Sequence, residues 1–212
     1  MSSEMQHGEL VHVVDDDEDV RESVRMLLWS ADFRVETSAA PRELLEKLDS
    51  ASRGCLVLDV RLPGMDGLEL QKKLYERGIV MPIVFITGHG DIPLAVEAVN
   101  AGALDFLEKP FDDEVLIERV RTGLAQDREY REARSRRASV ESRLDSLTPR
   151  EREVMEGILQ GKLNKVIAHE LDVSVRTVEV HRARVLEKMA ARNSSDMVRL
   201  VLSTEEYRDW LI

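Results

Sequence analysis

Five short apolar runs alternate with stretches of helical periodicity through the first half of the chain. Each run has the length of a strand, and together they cover residues 10–14, 33–37, 55–59, 82–86 and 104–107. Strands that alternate with helices are typical of parallel sheets built by right-handed crossovers. The pattern therefore predicts an α/β doubly wound sheet with helices on both faces.

The run Cys55–Asp59 is continuously apolar until it ends in a carboxylate, with Pro63 and Gly64 close behind. Such a run is typical of a buried parallel strand that delivers its last residue to the carboxyl edge of the sheet. A lone aspartate there would only end a strand. Other polar residues leave strand ends on the same edge, where open α/β sheets keep their chemistry: Asp15, Asp16, Thr87 and Lys109.

The residue types at this edge suit phosphoryl chemistry. Asp15, Asp16 and Asp59 form an oxygen-only set of the kind that binds Mg²⁺, a cation that keeps several waters and a ligand phosphate. Lys109 supplies a compact positive charge for phosphoryl oxygens, and Thr87 supplies a hydroxyl donor. Asp59 is the candidate nucleophile, since carboxylates accept phosphoryl groups in some phosphate-handling proteins.

Together with Phe106 and the pair Lys109-Pro110, these residues resemble two-component receiver domains, and the match covers residues 8–124. The resemblance implies a flavodoxin-like, five-stranded sheet in the order 2-1-3-4-5. It also implies that a histidine kinase transfers a phosphoryl group to Asp59 and that the Lys109-Pro110 bond is cis.

The same resemblance assigns the metal ligands. It implies that Asp16, Asp59 and the backbone carbonyl of Arg61 hold Mg²⁺, with Asp15 in the same acidic set. Two rival interpretations fit the residues less well. A haloacid-dehalogenase-like phosphatase needs a second aspartate where this chain has Arg61, and a degenerate receiver would have lost Asp16, Thr87 or Lys109.

Length and composition narrow the class of protein. The 212 residues accommodate two domains, and no apolar run reaches the roughly 18 residues that a membrane span needs. Met1–His7 has neither the basic start nor the apolar core of a secretion signal, so we expect a cytoplasmic protein. The single cysteine, Cys55, excludes an internal disulfide and is interpreted as a packing residue.

A charged segment over residues 125–146 follows the receiver-like part. It contains neither glycine nor proline and carries pairs at helical spacing, such as Glu132 and Arg136. A solvated helix and a flexible linker both fit this composition. Thr148-Pro149-Arg150-Glu151 then forms a capping box, which predicts that a new helical domain occupies residues 147–212.

Two predicted helices of this domain, over residues 164–171 and 174–189, are joined by a three-residue turn. That arrangement predicts a helix-turn-helix, whose second helix can lie in the major groove of DNA, although an ordinary helical bundle is the alternative. Ser194 begins the pattern of a last helix, capped by Ser194-Ser195-Asp196, with an apolar excess that indicates self-association. The tail from 204 to 212 has no assignment.

The charge distribution and the sequence motifs of this domain strengthen the DNA-binding interpretation. Charges balance over residues 147–212, so the net −11 lies on residues 1–146, while residues 161–192 carry a local +3. The stretches 147–154, 164–168 and 174–181 closely resemble LuxR/NarL-type DNA-binding domains. This resemblance assigns base contacts to Glu179, Val180 and Ala183. It assigns phosphate contacts to Lys165, Thr177, His181, Arg184 and Lys188. Arg176 lies on the same outer face of the second helix.

Residues 87–98 and 105–111 resemble the FixJ subgroup of response regulators, some of which control nitrogen fixation while others serve other signals. We therefore predict a transcriptional regulator and not an enzyme. Phosphorylation of Asp59 should draw Thr87 toward the phosphoryl oxygens, let Phe106 follow, and favour a homodimer that binds promoter DNA and activates RNA polymerase. The alternative is a phosphorylation-independent scaffold held on DNA.

Overall fold

The computed structural model describes residues 10–88, 92–208 and 210. The predictions for Met1–His7 and for an N-cap at Asp91 lie outside these described residues. The chain divides into two compact units, Met1–Tyr130 and Arg131–Ile212.

A parallel sheet forms the centre of the first unit, as the alternation of runs predicted. Its strand order is β2-β1-β3-β4-β5, which confirms the order that the receiver resemblance implied. The central strand β3 pairs with β1 on one side and with β4 on the other, both in parallel. The strands are β1 Leu10–Val14, β2 Arg34–Ser38, β3 Cys55–Asp59, β4 Ile83–Thr87 and β5 Asp105–Glu108.

Helices cover both faces of the sheet and make up the second unit. In the described ranges, no helix is long and apolar enough to cross a membrane. The helices of the first part are α1 Glu18–Ser30, α2 Pro41–Lys47, α3 Gly67–Glu76, α4 Ile92–Asn100 and α5 Asp113–Asp145. Those that follow are α6 Pro149–Leu159, α7 Asn164–Glu170, α8 Val175–Lys188 and α9 Ser194–Leu202.

Every residue of β3 is buried, which explains its uninterrupted apolar run. Successive side chains of a strand point to opposite faces of the sheet. Leu56 and Leu58 accordingly pack in one hydrophobic core, and Cys55 and Val57 pack in the other. Burial raises the pKa of the Cys55 thiol to about 12, so the cysteine is a packing residue as predicted.

Side-chain caps define several helix starts. The side chain of Asp17 accepts from the backbone N–H groups of the first turn of α1. The capping box predicted at Thr148 and Glu151 is present at the start of α6. The prediction for α9 was wrong by one residue: the side chain of Asn193 caps it by accepting from Asp196 N, because an asparagine oxygen there reaches the third N–H.

Helix α5 includes the charged residues 126–142, and most of their side chains are exposed, as in the solvated helix that was one of the two expected forms. Two residues within this range are nevertheless buried. Asp127 is buried, and its carboxylate accepts a hydrogen bond of 3.2 Å from Gly54 N–H, just before β3. Near its other end, Val140 and Leu144 pack into the hydrophobic core of the second unit. This core therefore begins before residue 147.

The second unit contains the predicted helix-turn-helix as α7 and α8. The tail beyond α9 also contributes to its core, because Tyr207 is only 1% exposed. The Tyr207 hydroxyl donates to Glu156 at 3.2 Å and accepts from Arg152 at 3.0 Å. Arg152 also donates to the backbone carbonyl of Leu144, so one guanidinium connects α6, the tail and the last turn of α5.

Gly54 provides a test of the packing before β3. Its φ is +126°, and an added Cβ would lie 1.9 Å from the carbonyl oxygen of Leu10. We expect Gly54→Ala to lower the free energy of unfolding of the first unit by at least about 2 kcal/mol, measured by urea denaturation.

Gly78→Ala is the matched control. Gly78 also has a positive φ, of +69°, but no atom lies within 4 Å of its added Cβ. Backbone strain alone should therefore cost about 1 kcal/mol there. Equal losses in the two variants would contradict the proposed clash with Leu10.

Candidate functional sites

Three charged side chains meet at the carboxyl edge of the sheet. Asp15 follows β1, Asp59 is the last residue of β3, and Lys109 follows β5. The Lys109 ammonium donates to Asp15 Oδ2 at 2.7 Å and to Asp59 Oδ1 at 2.9 Å. The structure thus brings together three of the predicted site residues that are far apart in sequence.

Burial and charge act against each other within this group. The side chains of Asp15, Asp59 and Lys109 are 1%, 8% and 24% exposed. Burial raises the pKa of Asp59 by more than the hydrogen bond from Lys109 lowers it. Burial lowers the pKa of Lys109, but the hydrogen bonds to the two carboxylates and their negative charge together outweigh that effect and raise the pKa overall. The Lys109 ammonium therefore opposes the effect of burial on Asp59 without cancelling it.

Backbone groups satisfy the other oxygen of each carboxylate. Asp15 Oδ1 accepts from Asp17 N–H at 2.9 Å, and Asp59 Oδ2 accepts from Arg61 N–H at 2.8 Å. Arg21 on α1 donates to the Asp15 carbonyl at 2.7 Å. Arg21 was missed in the sequence analysis. Its only cue in the sequence is a basic residue one turn into the helix that follows the acidic run.

The predicted switch residues lie on the two neighbouring strands. Thr87 ends β4 and is 1% exposed, and its carbonyl accepts from Lys109 N–H at 2.7 Å. Phe106 on β5 is half-buried, pairs in register with Phe85, and packs against the same core. The Lys109-Pro110 bond is cis, as the resemblance implied.

The acidic residues predicted to bind metal are only partly gathered. Asp16 is exposed, whereas Asp15 and Asp59 are buried beside each other. Within the described ranges, no three His, Cys, Asp or Glu side chains are close enough to hold a metal ion. The carboxylates of Asp15 and Asp59 are nevertheless hard oxygen donors of the type that suits Mg²⁺.

The outer surface of the helix-turn-helix carries most of the predicted DNA contacts. Lys165 is exposed on α7. Thr177 and His181 on α8 are partly buried, and the Thr177 hydroxyl lies 2.8 Å from that of Ser174. The exposed predicted residues of α8 are Arg176, Glu179, Val180, Ala183 and Arg184.

Lys188 differs from the other predicted phosphate contacts because its ammonium is engaged within the domain. It donates to Glu151 Oε2 at 2.7 Å and to the Ser146 carbonyl at 2.9 Å. The hydrogen bond from Lys188, followed by that from Thr148 N–H, lowers the pKa of Glu151 to about 2. Lys188 therefore connects the end of α8 to the start of α6.

Arg182 is a positioning residue that sequence reasoning missed. Its guanidinium donates to Asn164 Oδ1 at 3.1 Å and to Ser194 Oγ at 2.7 Å. These contacts join α8 to the first residues of α7 and α9. They help to fix the orientation of the exposed face of α8.

Comparisons with known proteins agree with this arrangement. A family model of the response regulator receiver domain matches residues 11–121, and a model of the luxR family of bacterial regulatory proteins matches residues 145–201. Both resemblances drawn from the sequence are thereby confirmed.

Similar proteins match over nearly the whole chain. The transcriptional regulatory protein FixJ of Azorhizobium caulinodans is 47% identical over 192 residues, which are 91% of each chain. The C4-dicarboxylate transport transcriptional regulatory protein DctR of Rhodobacter capsulatus is 46% identical and covers 90% of this chain and 98% of that protein. The solved structure of the response regulator StyR has a TM-score of 0.85 at 45% identity and covers 92% and 98% of the two chains.

The Glu151–Lys188 pair predicts a pH dependence of stability. A carboxylate whose pKa falls from 4.5 to about 2 on folding stabilises the protein above pH 4.5, and that contribution is lost as the pH falls toward 2. As the pH falls over this range, we expect the free energy of unfolding of the native protein to decrease by up to about 3 kcal/mol more than that of Glu151→Gln. Urea denaturation at each pH measures both.

Glu153→Gln is the control for this titration. Glu153 lies on the same helix but is half-exposed, with Arg150 as its partner. Its substitution should leave the pH dependence of the native protein unchanged. Parallel stability curves for Glu151→Gln and the native protein would contradict the assignment.

Proposed function

Because the chain belongs to the two-component response regulators that join a receiver domain to a LuxR-type DNA-binding domain, we propose that phosphorylation of Asp59 controls its binding to promoter DNA. The main supporting observation is the Lys109 ammonium, which lies within hydrogen-bonding distance of both Asp15 and Asp59. A cognate histidine kinase would be the phosphodonor. The receiver domain is proposed to span residues 8–124 and the DNA-binding domain residues 147–212, with the helical linker 125–146 between them.

Asp59 would act as the nucleophile. An Asp59 carboxylate oxygen attacks the phosphorus of a kinase phosphohistidine, the phosphorus–nitrogen bond breaks, and an acyl phosphate forms. The Arg61 N–H holds Asp59 Oδ2 in place. Lys109 follows the added negative charge, because it can exchange its hydrogen bond to Asp59 for one to a phosphoryl oxygen.

Mg²⁺ would offset the charge of the transferring phosphoryl group when it is bound. The residues that would hold it are Asp15, Asp16, Asp59 and the backbone carbonyl of Arg61. Asp15 and Asp59 already lie together, and Asp16 is exposed at the same end of β1. The two carboxylates of Asp15 and Asp59, paired with the single ammonium of Lys109, leave a net negative charge that favours a divalent cation.

Thr87 and Phe106 would carry the signal away from Asp59. Thr87 would donate its hydroxyl to a phosphoryl oxygen, and Phe106 would turn into the space that Thr87 leaves. Phe106 is half-buried, so this movement changes the face formed by α4, β5 and the start of α5. Phosphorylation would thereby favour a homodimer through that face.

The DNA-binding domain would place α8 in the major groove. Glu179, Val180 and Ala183 would face bases, and phosphate contacts would come from Lys165, Thr177, His181 and Arg184. Lys188 has a structural role in addition to any phosphate contact, since it is paired with Glu151. A dimer bound to promoter DNA in the cytoplasm would then recruit RNA polymerase and activate transcription.

Chemical labelling tests the proposed phosphoacceptor. We expect the full-length protein, incubated with Mg²⁺ and acetyl phosphate, to gain one phosphoryl group. Hydroxylamine should remove this group, because hydroxylamine cleaves acyl phosphates. Asp59→Asn should gain none, measured by mass spectrometry of the intact protein.

Asp66→Asn is the matched control for this experiment. Asp66 is exposed and caps α3, a role that asparagine can keep. This variant should be labelled like the native protein. A hydroxylamine-sensitive label that persists in Asp59→Asn would contradict the assignment, and an unlabelled native protein that still binds promoter DNA would favour the scaffold alternative.

A further inference from the structure

The start of α8 presents an acid and a base side by side on its exposed face. Arg176 Nη1 and Glu179 Oε2 are 3.4 Å apart across one helical turn. Their side chains are 86% and 48% exposed, whereas Val178 between them is fully buried in the domain core. The buried valine fixes the orientation of this turn, and the two charged groups face outward from it.

The surrounding side chains leave few other groups that could read bases from this turn. Thr177 is partly buried and its hydroxyl is close to that of Ser174. Val180 is exposed but apolar, and the methyl side chain of Ala183 has no hydrogen-bonding group, so both can contact bases only through apolar surface. Because the N-terminal residues of a recognition helix reach base edges, the long polar side chains of this turn are the strongest candidates for specific contacts.

Building on the DNA-binding role proposed above, we infer that Arg176 and Glu179 act as one unit that reads guanine and cytosine in the major groove. Arg176 donates to O6 and N7 of a guanine. Glu179 accepts from the N4 amino group of a cytosine in the same or the adjacent base pair.

Electrostatics explain why the two residues would work together. Phosphates repel an isolated carboxylate at the surface of DNA, and the Arg176 guanidinium beside Glu179 offsets that repulsion. An exposed ion pair contributes little to stability, so the pair can loosen to admit base edges. The contact between Arg176 and Glu179 therefore allows the carboxylate to approach the DNA, and the Glu179 side chain stays free to exchange Arg176 for a base.

The chemistry of the base edges selects the partners. The guanidinium fork matches the two adjacent acceptors of guanine. A carboxylate needs a donor, which cytosine and adenine both offer, but adenine places its N7 acceptor next to its amino group. That acceptor would repel Glu179, so cytosine is the better partner.

Selection of randomised duplex DNA by the full-length protein tests this inference. The selection is run with and without Mg²⁺ and acetyl phosphate, and selected duplexes are then titrated together with their single-base variants. We expect each half-site to contain a required guanine–cytosine position or step. Its replacement should weaken binding by about 5- to 150-fold.

Two conservative variants separate base contacts from phosphate contacts. Arg176→Lys keeps the positive charge but loses the fork, so it should lose the preference for guanine while it still binds unselected DNA. Glu179→Gln gains a donor and keeps its acceptor, which matches adenine, so the preference for cytosine should shift to adenine. Both changes should occur at the positions that the native protein selects.

Arg150→Lys and Glu153→Gln on α6 are the matched controls, since Arg150 and Glu153 form an exposed ion pair of 2.8 Å at the same spacing. They should leave the selected sequence unchanged. Arg176→Lys and Glu179→Gln with native base preferences would overturn the inference. So would an Arg176→Ala variant that weakens all sequences equally and lowers the salt dependence, because that result marks a phosphate contact. A native protein that selects no sequence would instead overturn the proposed DNA-reading function.

Discussion

The Lys109 ammonium holds two buried carboxylates at one edge of the sheet, and the geometry of the proposed phosphorylation site depends on that contact. Asp15 and Asp59 are brought together because β1 and β3 are neighbours and both end at this edge. Two buried anions this close would repel each other without a cation between them. Lys109 reaches them from beyond β5, on the far side of β4, so a charge contact connects three strands that differ widely in sequence position.

A site that is stabilised in this way is sensitive to added charge. A phosphoryl group on Asp59 would bring about −1.5 to −2 of charge to a place where a single ammonium already serves two carboxylates. Lys109 must then redistribute its hydrogen bonds, and Thr87, whose carbonyl accepts from the Lys109 backbone, lies directly beside it. The geometry therefore supports a route from Asp59 through Thr87 to Phe106 on β5. Helix α5 leaves the same region and includes the linker residues.

The ends of β1 and β3 were predictable because their apolar runs stop at aspartates, as β3 does at Asp59. Strands β2, β4 and β5 each begin and end one residue later than the predicted runs 33–37, 82–86 and 104–107. The capping box at Thr148 was predictable because it is a local pattern. Long-range partners were not: nothing local to Lys188 indicates that it binds Glu151, and the polar composition around Asp127 hides its burial beside Gly54. Tyr207 in the tail and the Asn193 cap of α9 similarly depend on tertiary packing or on a choice between adjacent capping residues. The sequence could not predict that Asp15 is buried and Asp16 exposed, because they are adjacent aspartates of one acidic run.

Sedimentation velocity in the presence of Mg²⁺ tests the central claim most directly, because it measures whether charge at Asp59 changes the state of the whole molecule. The native protein and Asp59→Asn are compared with and without acetyl phosphate. The account predicts a shift from monomer to dimer for the native protein alone, and only with acetyl phosphate. No shift in the native protein, or the same shift in both proteins, would contradict a phosphorylation switch at Asp59 that acts through dimerisation.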